Sequence, residues 1–353
     1  MTADPWHAGF DANAAALAFR SPWWLGDRHV QTLFRRFAPQ KAALTRRQRM
    51  ELKDGDFIDL DWCDRPDRSP ATFPVVVLLH GLCGSSASPY IQSLQRHLHG
   101  LGFDSVAMNF RGCSGEVNRL ARAYHSGCSE DLEEVYAALR SLHPGRRFLF
   151  TGYSLGASVL LKWLAESPPR ANVAGAVAVS TPFALARCSQ ALQQGLSKVY
   201  GQYFRNRLVR DIQAKRAAFR LNGNSVALAQ LDALGDLGRL RTLWDFDDQV
   251  TAPLHGFASA RDYYDRCSSG PRLKDIRVPL LLIQSVNDPF IPQDALPRPE
   301  EVSPSTSLLL TRSGGHVGFT CAGNRGWLEQ RIAESLIRMA SVTPVGMSQA
   351  GSH

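Results

Sequence analysis

FLFTGYSLG, residues 148–156, is followed by the helical pattern of Ala157–Glu166. An apolar strand, a Gly-x-Ser-x-Gly turn and a helix, in this order, predict a nucleophile elbow, in which the turn lifts a serine hydroxyl clear of the sheet. The serine is Ser154, and Gly152 and Gly156 remove the Cβ atoms that would clash with the neighbouring strand and helix. Ser154 would then lie at the positive end of a helix dipole, a position that suits a nucleophile.

Strand-like and helix-like segments alternate through most of the chain. A hairpin is predicted from Leu44–Leu52 and Phe57–Trp62. Continuous apolar runs predict buried parallel strands at Pro74–His80, Ser105–Phe110, Phe148–Tyr153, Val173–Ser180, Val278–Ser285 and Ser307–Thr311. Helices are predicted at Tyr90–His99, Ser129–Leu142, Leu155–Glu166 and Gly326–Met339. The alternation predicts an α/β fold with a mostly parallel, doubly wound sheet that helices cover on both faces.

Between residues 182 and 275 the alternation stops and the pattern is helical. Helices are predicted at Gln190–Phe204, Leu208–Arg220 and Ser225–Leu234. Because ligands bind at the carboxyl ends of the strands in such sheets, an insertion at this point predicts a cap over the site. The alternative is a packed satellite bundle without a functional role. The predicted organisation is therefore an N-terminal arm that packs on the core (1–43), an α/β core (44–181 and 276–342), a helical cap (182–275) and a flexible tail (343–353).

A serine nucleophile needs a base, and the base needs an acid that holds its tautomer. In sheets of this kind the chain order is Ser, then Asp or Glu, then His. His316 follows the last predicted strand, between small residues, and apart from His353 no other histidine lies downstream of the predicted cap. Asp288 directly follows the preceding strand and is the predicted acid. The competing acids are in a polar loop: Asp294, Glu300 and Glu301.

Two backbone N–H groups are needed to stabilise the tetrahedral intermediate that a serine attack forms. One should come from Leu155, the residue after the nucleophile, and the other from Leu82, in the loop after the third strand. Gly81 allows this loop to turn the N–H of Leu82 toward the site. His80, which precedes Gly81, is expected to support the loop rather than to act as a second base.

Five further segments resemble those of the YheT-like hydrolases. They are SPWWL (21–25), HVQTL (29–33), NFRGCSG (109–115), Phe246-Asp247-Asp248 with TAPLHGF (251–257), and Tyr263-Tyr264. These hydrolases form a subgroup of the α/β-hydrolase superfamily that also contains eukaryotic lipid esterases of the embryogenesis-associated type. The resemblance extends from about residue 19 to residue 339. It implies an α/β-hydrolase fold, a triad of Ser154, Asp288 and His316, and hydrolysis of carboxylic esters, including acylglycerols and phospholipids in eukaryotic members.

Two of these motifs have more than one interpretation. The aromatic pair Trp23-Trp24 is expected to pack on the core near the chain terminus, although such side chains also contact acyl chains or membranes. The adjacent carboxylates of Asp247 and Asp248 lack the further ligands that a metal site requires. We expect them to brace the cap against the core.

Composition restricts the remaining classes of protein. The chain has 353 residues, a formal charge of +8, 44% apolar and 20% charged residues, which is typical of a soluble globular protein. No apolar run is long enough to span a bilayer, and the N-terminus lacks a signal-peptide pattern. Seven cysteines without metal spacing predict reduced thiols in a cytoplasmic protein. No nucleic-acid motif accompanies the basic residues, so we expect a solvated basic surface, with weak peripheral membrane contact as the alternative.

Together these features predict a serine hydrolase that needs no metal or cofactor. It would cleave a small-molecule or lipid ester, of the short- to medium-chain acyl or monoacylglycerol type, through an acyl-enzyme on Ser154. A thioesterase, an acyltransferase and a non-catalytic binding protein of the same fold remain alternatives. The natural substrate, the acyl chain length and the oligomeric state do not follow from the sequence.

Overall fold

Eight strands form one sheet in the part of the chain that the structure, a computed structural model, describes: residues 19–37, 41–65, 73–166, 170 and 172–341. The strands are β1 (Arg46–Glu51), β2 (Phe57–Cys63), β3 (Val75–Leu79), β4 (Asp104–Met108), β5 (Phe148–Tyr153), β6 (Val173–Val179), β7 (Leu280–Ser285) and β8 (Thr306–Thr311). Their order in the sheet is β1-β2-β4-β3-β5-β6-β7-β8. The predicted tail and much of the predicted N-terminal arm lie outside the described residues.

The sheet is antiparallel at one edge and parallel elsewhere. β1 and β2 form the predicted hairpin, and β2 also runs antiparallel to β4. From β4 through β8 all neighbouring strands are parallel, which confirms the predicted fold class. Leu79 of β3 pairs with Gly152 of β5, and Tyr153 of β5 pairs with Val179 of β6. The carboxyl ends of these three strands therefore meet at one edge of the sheet.

Helices pack on both faces of the sheet. In chain order the helices are α1 (Arg28–Phe37), α2 (Pro89–Gly100), α3 (Ser129–Leu142), α4 (Leu155–Glu166), α5 (Leu185–Ala191), α6 (Ser197–Leu221), α7 (Ser225–Asp232), α8 (Leu243–Phe246), α9 (Ala252–Leu254), α10 (Ala260–Cys267) and α11 (Trp327–Ser341). Val75 and Val77 of β3 enter the core that α3 and α4 cover, whereas Val76 and Leu78 enter the core under α2 and α11. Because both faces are buried, the strand is continuously apolar.

Helices α5 to α10 all lie between β6 and β7, and several of them share a small apolar core of their own. The predicted helix break between Phe204 and Leu208 is wrong, because α6 runs unbroken from Ser197 to Leu221. No glycine or proline lies between Phe204 and Leu208, where the break was predicted. The break falls earlier, at Gly195, whose φ of +48° is in the left-handed region that glycine tolerates.

The predicted packing of Trp23-Trp24 on the core is wrong. Trp23 is 93% exposed, and Trp24 contacts Phe34 of α1 instead of the core. Both belong to a 3₁₀ turn, Trp23–Leu25, that directs only Leu25 inward. The aromatic that ties this segment to the core is Phe19, whose ring packs against that of Trp327 at 4.8 Å.

The arginine of the NFRGCSG segment, Arg111, forms ion pairs with three aspartates. The guanidinium of Arg111 is almost fully buried and forms two hydrogen bonds with Asp131, at 2.6 and 2.8 Å. Its Nη1 also donates to Asp54 at 2.8 Å and to Asp56 at 3.0 Å. Removing the arginine would leave buried carboxylates unpaired, so the side chain fastens the loop after β4 to α3 and to the β1–β2 hairpin.

The predicted elbow is a strained turn between β5 and α4. Ser154 has a φ of +54°, a conformation that costs about 1–3 kcal/mol for a residue with a side chain. A Cβ atom on Gly156 would lie 2.5 Å from the carbonyl oxygen of His80 and 2.6 Å from that of Leu79. A Cβ atom on Gly152 would lie 2.7 Å from Cα of Ala157. Glycine at both positions lets α4 start directly against β3, and this contact holds the strained turn.

We predict that Gly156→Ala lowers the free energy of unfolding by about 3 kcal/mol or prevents folding, because the added methyl group overlaps backbone atoms that cannot move independently. Urea unfolding measures the change. Gly100→Ala is the matched control: it lies at the end of α2, where a Cβ atom would meet nothing within 4 Å, and it should be neutral or slightly stabilising. Equal stability of the two variants would contradict this account of the elbow.

Candidate active site

Ser154, His316 and Asp288 form a continuous chain of hydrogen bonds. Nε2 of His316 lies 2.8 Å from Oγ of Ser154, and Nδ1 of His316 lies 2.8 Å from Oδ2 of Asp288. Because a carboxylate accepts hydrogen bonds, Nδ1 carries the proton and Nε2 accepts from the serine hydroxyl. Asp288 is only 4% exposed, and its Oδ1 accepts from the backbone N–H of Phe290 at 2.8 Å. This arrangement can remove the proton from Ser154 and stabilise the resulting imidazolium.

Sheet topology brings these side chains together. Ser154 follows β5, Asp288 follows β7 and His316 follows β8, so all three lie beyond the carboxyl ends of parallel strands. The competing acids are elsewhere, in surface ion pairs. Asp294 pairs with Arg187, and Glu300 and Glu301 pair with Arg298. Of the acids that the sequence analysis considered, the structure brings only Asp288 to His316.

Helix α1 holds the histidine loop through side chain–backbone hydrogen bonds. The backbone N–H of His316 donates to Oγ1 of Thr32 at 2.9 Å. The side-chain amide of Gln31, fully buried, both accepts from the N–H of Thr320 and donates to its carbonyl, each at 3.0 Å. Both residues belong to the HVQTL segment, whose positioning contacts the sequence analysis missed. The sequence around Gln31 and Thr32 does not indicate these contacts, because the partner in each of them lies more than 280 residues further along the chain.

The two predicted N–H donors flank Ser154 and are free to bind a ligand. Among the described residues, the N–H groups of Leu82 and Leu155 have no hydrogen-bond acceptor. The N–H groups on either side of Leu82 are fixed, since Gly81 donates to the hydroxyl of Tyr90 and Cys83 to that of Tyr124, each at 2.9 Å. A Cβ atom on Gly81 would lie 3.2 Å from Cβ of Ser154, so this loop lies directly against the serine.

His80 supports the loop from within the core. Its Nε2 accepts from the backbone N–H of Phe110 at 3.2 Å, so Nδ1 carries the proton and donates to the carbonyl of Gly81 at 2.8 Å. Burial lowers the pKa of His80 to about 4, so the ring is neutral at physiological pH. Both ring nitrogens are occupied, which leaves this histidine no capacity to act as a base.

A cavity of about 540 Å³ extends from Ser154 and His316. Its volume is in the range of small-molecule sites. Much of its wall is apolar and comes from the helices between β6 and β7, through Leu185, Leu192, Leu196, Val199, Phe204, Leu208, Leu243 and Phe246. Leu33 and Phe37 of α1 also line it. An acyl chain extending from the serine would therefore meet apolar side chains.

The two carboxylates of the Phe246-Asp247-Asp248 segment have different surroundings. Asp248 is exposed and accepts from the backbone N–H of Ala260, so it joins two parts of the helical region. Asp247 lines the cavity and accepts from the hydroxyls of Thr251 and Tyr264, each at 2.6 Å. These partners belong to the same helical region, so the predicted bracing against the core is wrong.

The described residues contain no cluster of three or more histidine, cysteine, aspartate or glutamate side chains arranged to hold a metal ion. Within the same residues, no helix combines the length and apolar composition needed to cross a membrane.

Known proteins match both the sequence and the fold. A family model described as "alpha/beta hydrolase fold" matches residues 74–320. The chain is 39% identical over 312 residues to "Putative esterase YheT" of Escherichia coli (strain K12), covering 87% of this chain and 89% of that protein. It is 31% identical over 303 residues to "Phospholipase ABHD3" of Homo sapiens, covering 84% of this chain and 72% of that protein. It is 28% identical over 267 residues to "Monoacylglycerol lipase" of Saccharomyces cerevisiae, covering 74% of this chain and 59% of that protein.

Among solved structures, the Pyrococcus furiosus esterase Pf2001 overlays with a TM-score of 0.54 at 18% identity, covering 86% of this chain and 99% of that one. This likeness concerns the fold alone. The fold and the family match define an α/β hydrolase. Within that family the chain belongs to the YheT-like hydrolases, a group of the esterase and lipase type, which confirms the family that the motifs indicated.

We predict that Thr32→Val slows hydrolysis of p-nitrophenyl acetate about tenfold, since an unpaired buried N–H costs about 1–3 kcal/mol and would loosen the loop that carries His316. Thr32→Ser keeps the hydroxyl acceptor and should retain most of the activity. Thermal unfolding of both variants separates a loss of positioning from a loss of stability. Equal activity of the two variants at equal stability would show that the Thr32 hydroxyl does not position the histidine.

Proposed function

We propose that this protein hydrolyses carboxylic esters, with Ser154 as nucleophile, His316 as general base and Asp288 as the residue that orients the base. The observation that supports this proposal most directly is the pair of 2.8 Å hydrogen bonds that link the three side chains at the end of a cavity. Membership of an esterase and lipase family supports the reaction class. Without this geometry, the family match alone would not assign roles to residues.

The proposed reaction has two halves. As Oγ of Ser154 attacks the ester carbonyl carbon, His316 takes the hydroxyl proton through Nε2 and then donates it to the departing alcohol. The acyl group remains on Ser154. A water molecule that His316 deprotonates attacks this acyl-enzyme, and the acid leaves as the proton returns to Ser154. Asp288 remains ionised throughout and stabilises the imidazolium.

The proposed oxyanion hole consists of the N–H groups of Leu82 and Leu155. Both lie beside Ser154 and lack an acceptor within the described part of the chain, which supports this role. Leu155 is also the first residue of α4, whose N-terminal dipole favours the negative charge that develops on the carbonyl oxygen.

We further propose that helices α5 to α10 act as a cap that binds the acyl chain. Their apolar side chains form much of the cavity wall, which supports a short- to medium-chain acyl ester or a monoacylglycerol as substrate. The names of two relatives, a monoacylglycerol lipase and a phospholipase, agree with an acyl ester as the substrate class.

We predict that Ser154→Ala reduces ester hydrolysis by roughly 10³–10⁶-fold with little change in folding, since the nucleophile is lost. His316→Ala should be nearly as damaging. The double variant should be scarcely worse than either single one, because the residues act as a unit. A fluorophosphonate probe should label the wild type at Ser154, and labelling that persists in Ser154→Ala would refute the assignment.

The cap proposal predicts a change in chain-length preference. Leu196 lines the cavity yet is 68% exposed, so Leu196→Ser should spare the core and weaken binding of longer acyl chains. We expect kcat/KM for p-nitrophenyl octanoate to fall about tenfold relative to that for the acetate, within the roughly 10- to 200-fold that apolar contacts supply. Leu221→Ser is the matched control, since Leu221 ends α6, is 91% exposed and is not part of the cavity wall. An unchanged octanoate-to-acetate ratio in Leu196→Ser would argue against the cap.

A further inference from the structure

The cavity has a group of polar side chains in the part of its wall at the helices between β6 and β7. Five of the residues that line the cavity contribute polar groups, and we call them the polar wall: His125, Ser126, Asp247, Thr251 and Tyr264. Hydrogen bonds and ring contacts connect the members through Tyr263, whose hydroxyl accepts from the N–H of Ser126 at 2.9 Å and whose ring lies 5.5 Å from that of His125. The triad does not use these groups.

Asp247 is the acceptor of the polar wall. It begins a π-helical turn, Asp247–Thr251, a backbone irregularity that often occurs at functional sites. The carboxylate receives hydrogen bonds from Thr251 and Tyr264 but forms no ion pair within the described residues, unlike the buried carboxylates of Asp131 and Glu329, which pair with arginines. Burial raises the pKa of Asp247 to about 6. The group nevertheless keeps some accessible surface and lines the cavity.

His125 is the donor of the polar wall. Its Nδ1 accepts from the backbone N–H of Gly127 at 3.1 Å, so the proton is on Nε2. Nε2–H has no hydrogen-bond acceptor among the described residues, although His125 is only 6% exposed and lines the cavity. Burial, together with the neighbouring His255, Arg122 and Lys162, lowers the pKa of His125, which keeps the ring neutral. This donor in the cavity wall is therefore available to a ligand.

We propose that the polar wall binds free hydroxyl groups on the alcohol part of the substrate, so that the enzyme prefers acyl esters of polyols to esters of simple alkanols. A hydroxyl group both donates and accepts hydrogen bonds, and the wall offers the acceptor Asp247 and the donor His125. The Asp247 carboxylate repels an anionic group. An ammonium group has no lone pair, so it cannot accept from the Nε2–H of the neutral His125. A neutral hydroxyl is the group that fits both.

This inference deepens the proposed ester hydrolysis and rests on it for the substrate's orientation. The first test compares kcat/KM for 1-octanoylglycerol and ethyl octanoate, which share an acyl chain and differ in the hydroxyls. Asp247→Asn keeps the side-chain volume but removes the charged acceptor. We expect the ratio of the two kcat/KM values to fall about tenfold in this variant, since a hydrogen bond to a charged group is lost.

Asp248→Asn is the matched control, because this adjacent carboxylate is exposed and is not part of the cavity wall. It should leave the ratio unchanged. The proposal is overturned if Asp247→Asn has the same ratio of kcat/KM for 1-octanoylglycerol to kcat/KM for ethyl octanoate as the wild type. This includes the case in which both values of kcat/KM fall equally.

A second test does not depend on hydrolysis or on the folding of a variant. Calorimetric titration of the wild-type protein compares 1-O-octylglycerol, an ether that cannot be cleaved, with 1-octanol. Octylglycerol should bind about tenfold more tightly, and equal affinities overturn the proposal. If octylglycerol binds as expected while Ser154 is neither labelled nor catalytic, the ester-hydrolysis proposal fails and the hydroxyl site stands.

Discussion

The close approach of α4 to β3 is the constraint on which the rest of the structure depends. It exists because position 156 has no side chain: any Cβ atom there would lie about 2.5 Å from backbone oxygens of β3 and the loop that follows it. The contact holds Ser154 in a left-handed conformation that a serine would not adopt by itself. It also brings the loop that contains Leu82 against the serine, so the proposed nucleophile and the proposed oxyanion donors are positioned by one packing arrangement.

The remaining parts of the site are fastened from distant regions of the chain. Asp288 is held by the N–H of Phe290, and the His316 loop is held by Gln31 and Thr32 of α1. A mobile imidazole would lose its alignment with both partners, because each hydrogen bond weakens steeply with angle. Helix α1 therefore serves the site although it contributes none of its three central side chains, which gives the HVQTL segment a physical role.

Charge is distributed differently in the core and in the cavity. Carboxylates buried in the core, such as Asp131 and Glu329, are compensated by arginines. Asp247 has only hydroxyl partners, and the wall of the same cavity contains His125, whose Nε2–H donor has no acceptor among the described residues. Groups that cost stability without a partner are characteristic of binding sites. The buried ion pairs of the core therefore stabilise the fold, whereas the polar wall of the cavity has groups that remain available to a ligand.

The sequence alone determined the sheet and the elbow, because apolar runs and glycines are local patterns. It also selected Ser154, Asp288 and His316 as a proposed triad, since their positions after parallel strands place them at one edge of the sheet, where the structure brings them together. Its errors were at sites without such a local signal. A helix break was predicted between Phe204 and Leu208, inside α6, although no glycine or proline there marks a helix boundary. Trp23 was expected to be buried, yet a single 3₁₀ turn directs Leu25 inward instead. The anchoring of His316 by α1 and the polar wall were decided only by the tertiary structure. The first joins Thr32 to His316 across 284 residues, and the second joins Ser126 to Tyr263 across 137 residues. Hydrogen bonds between such distant residues depend on three-dimensional placement that no local pattern encodes.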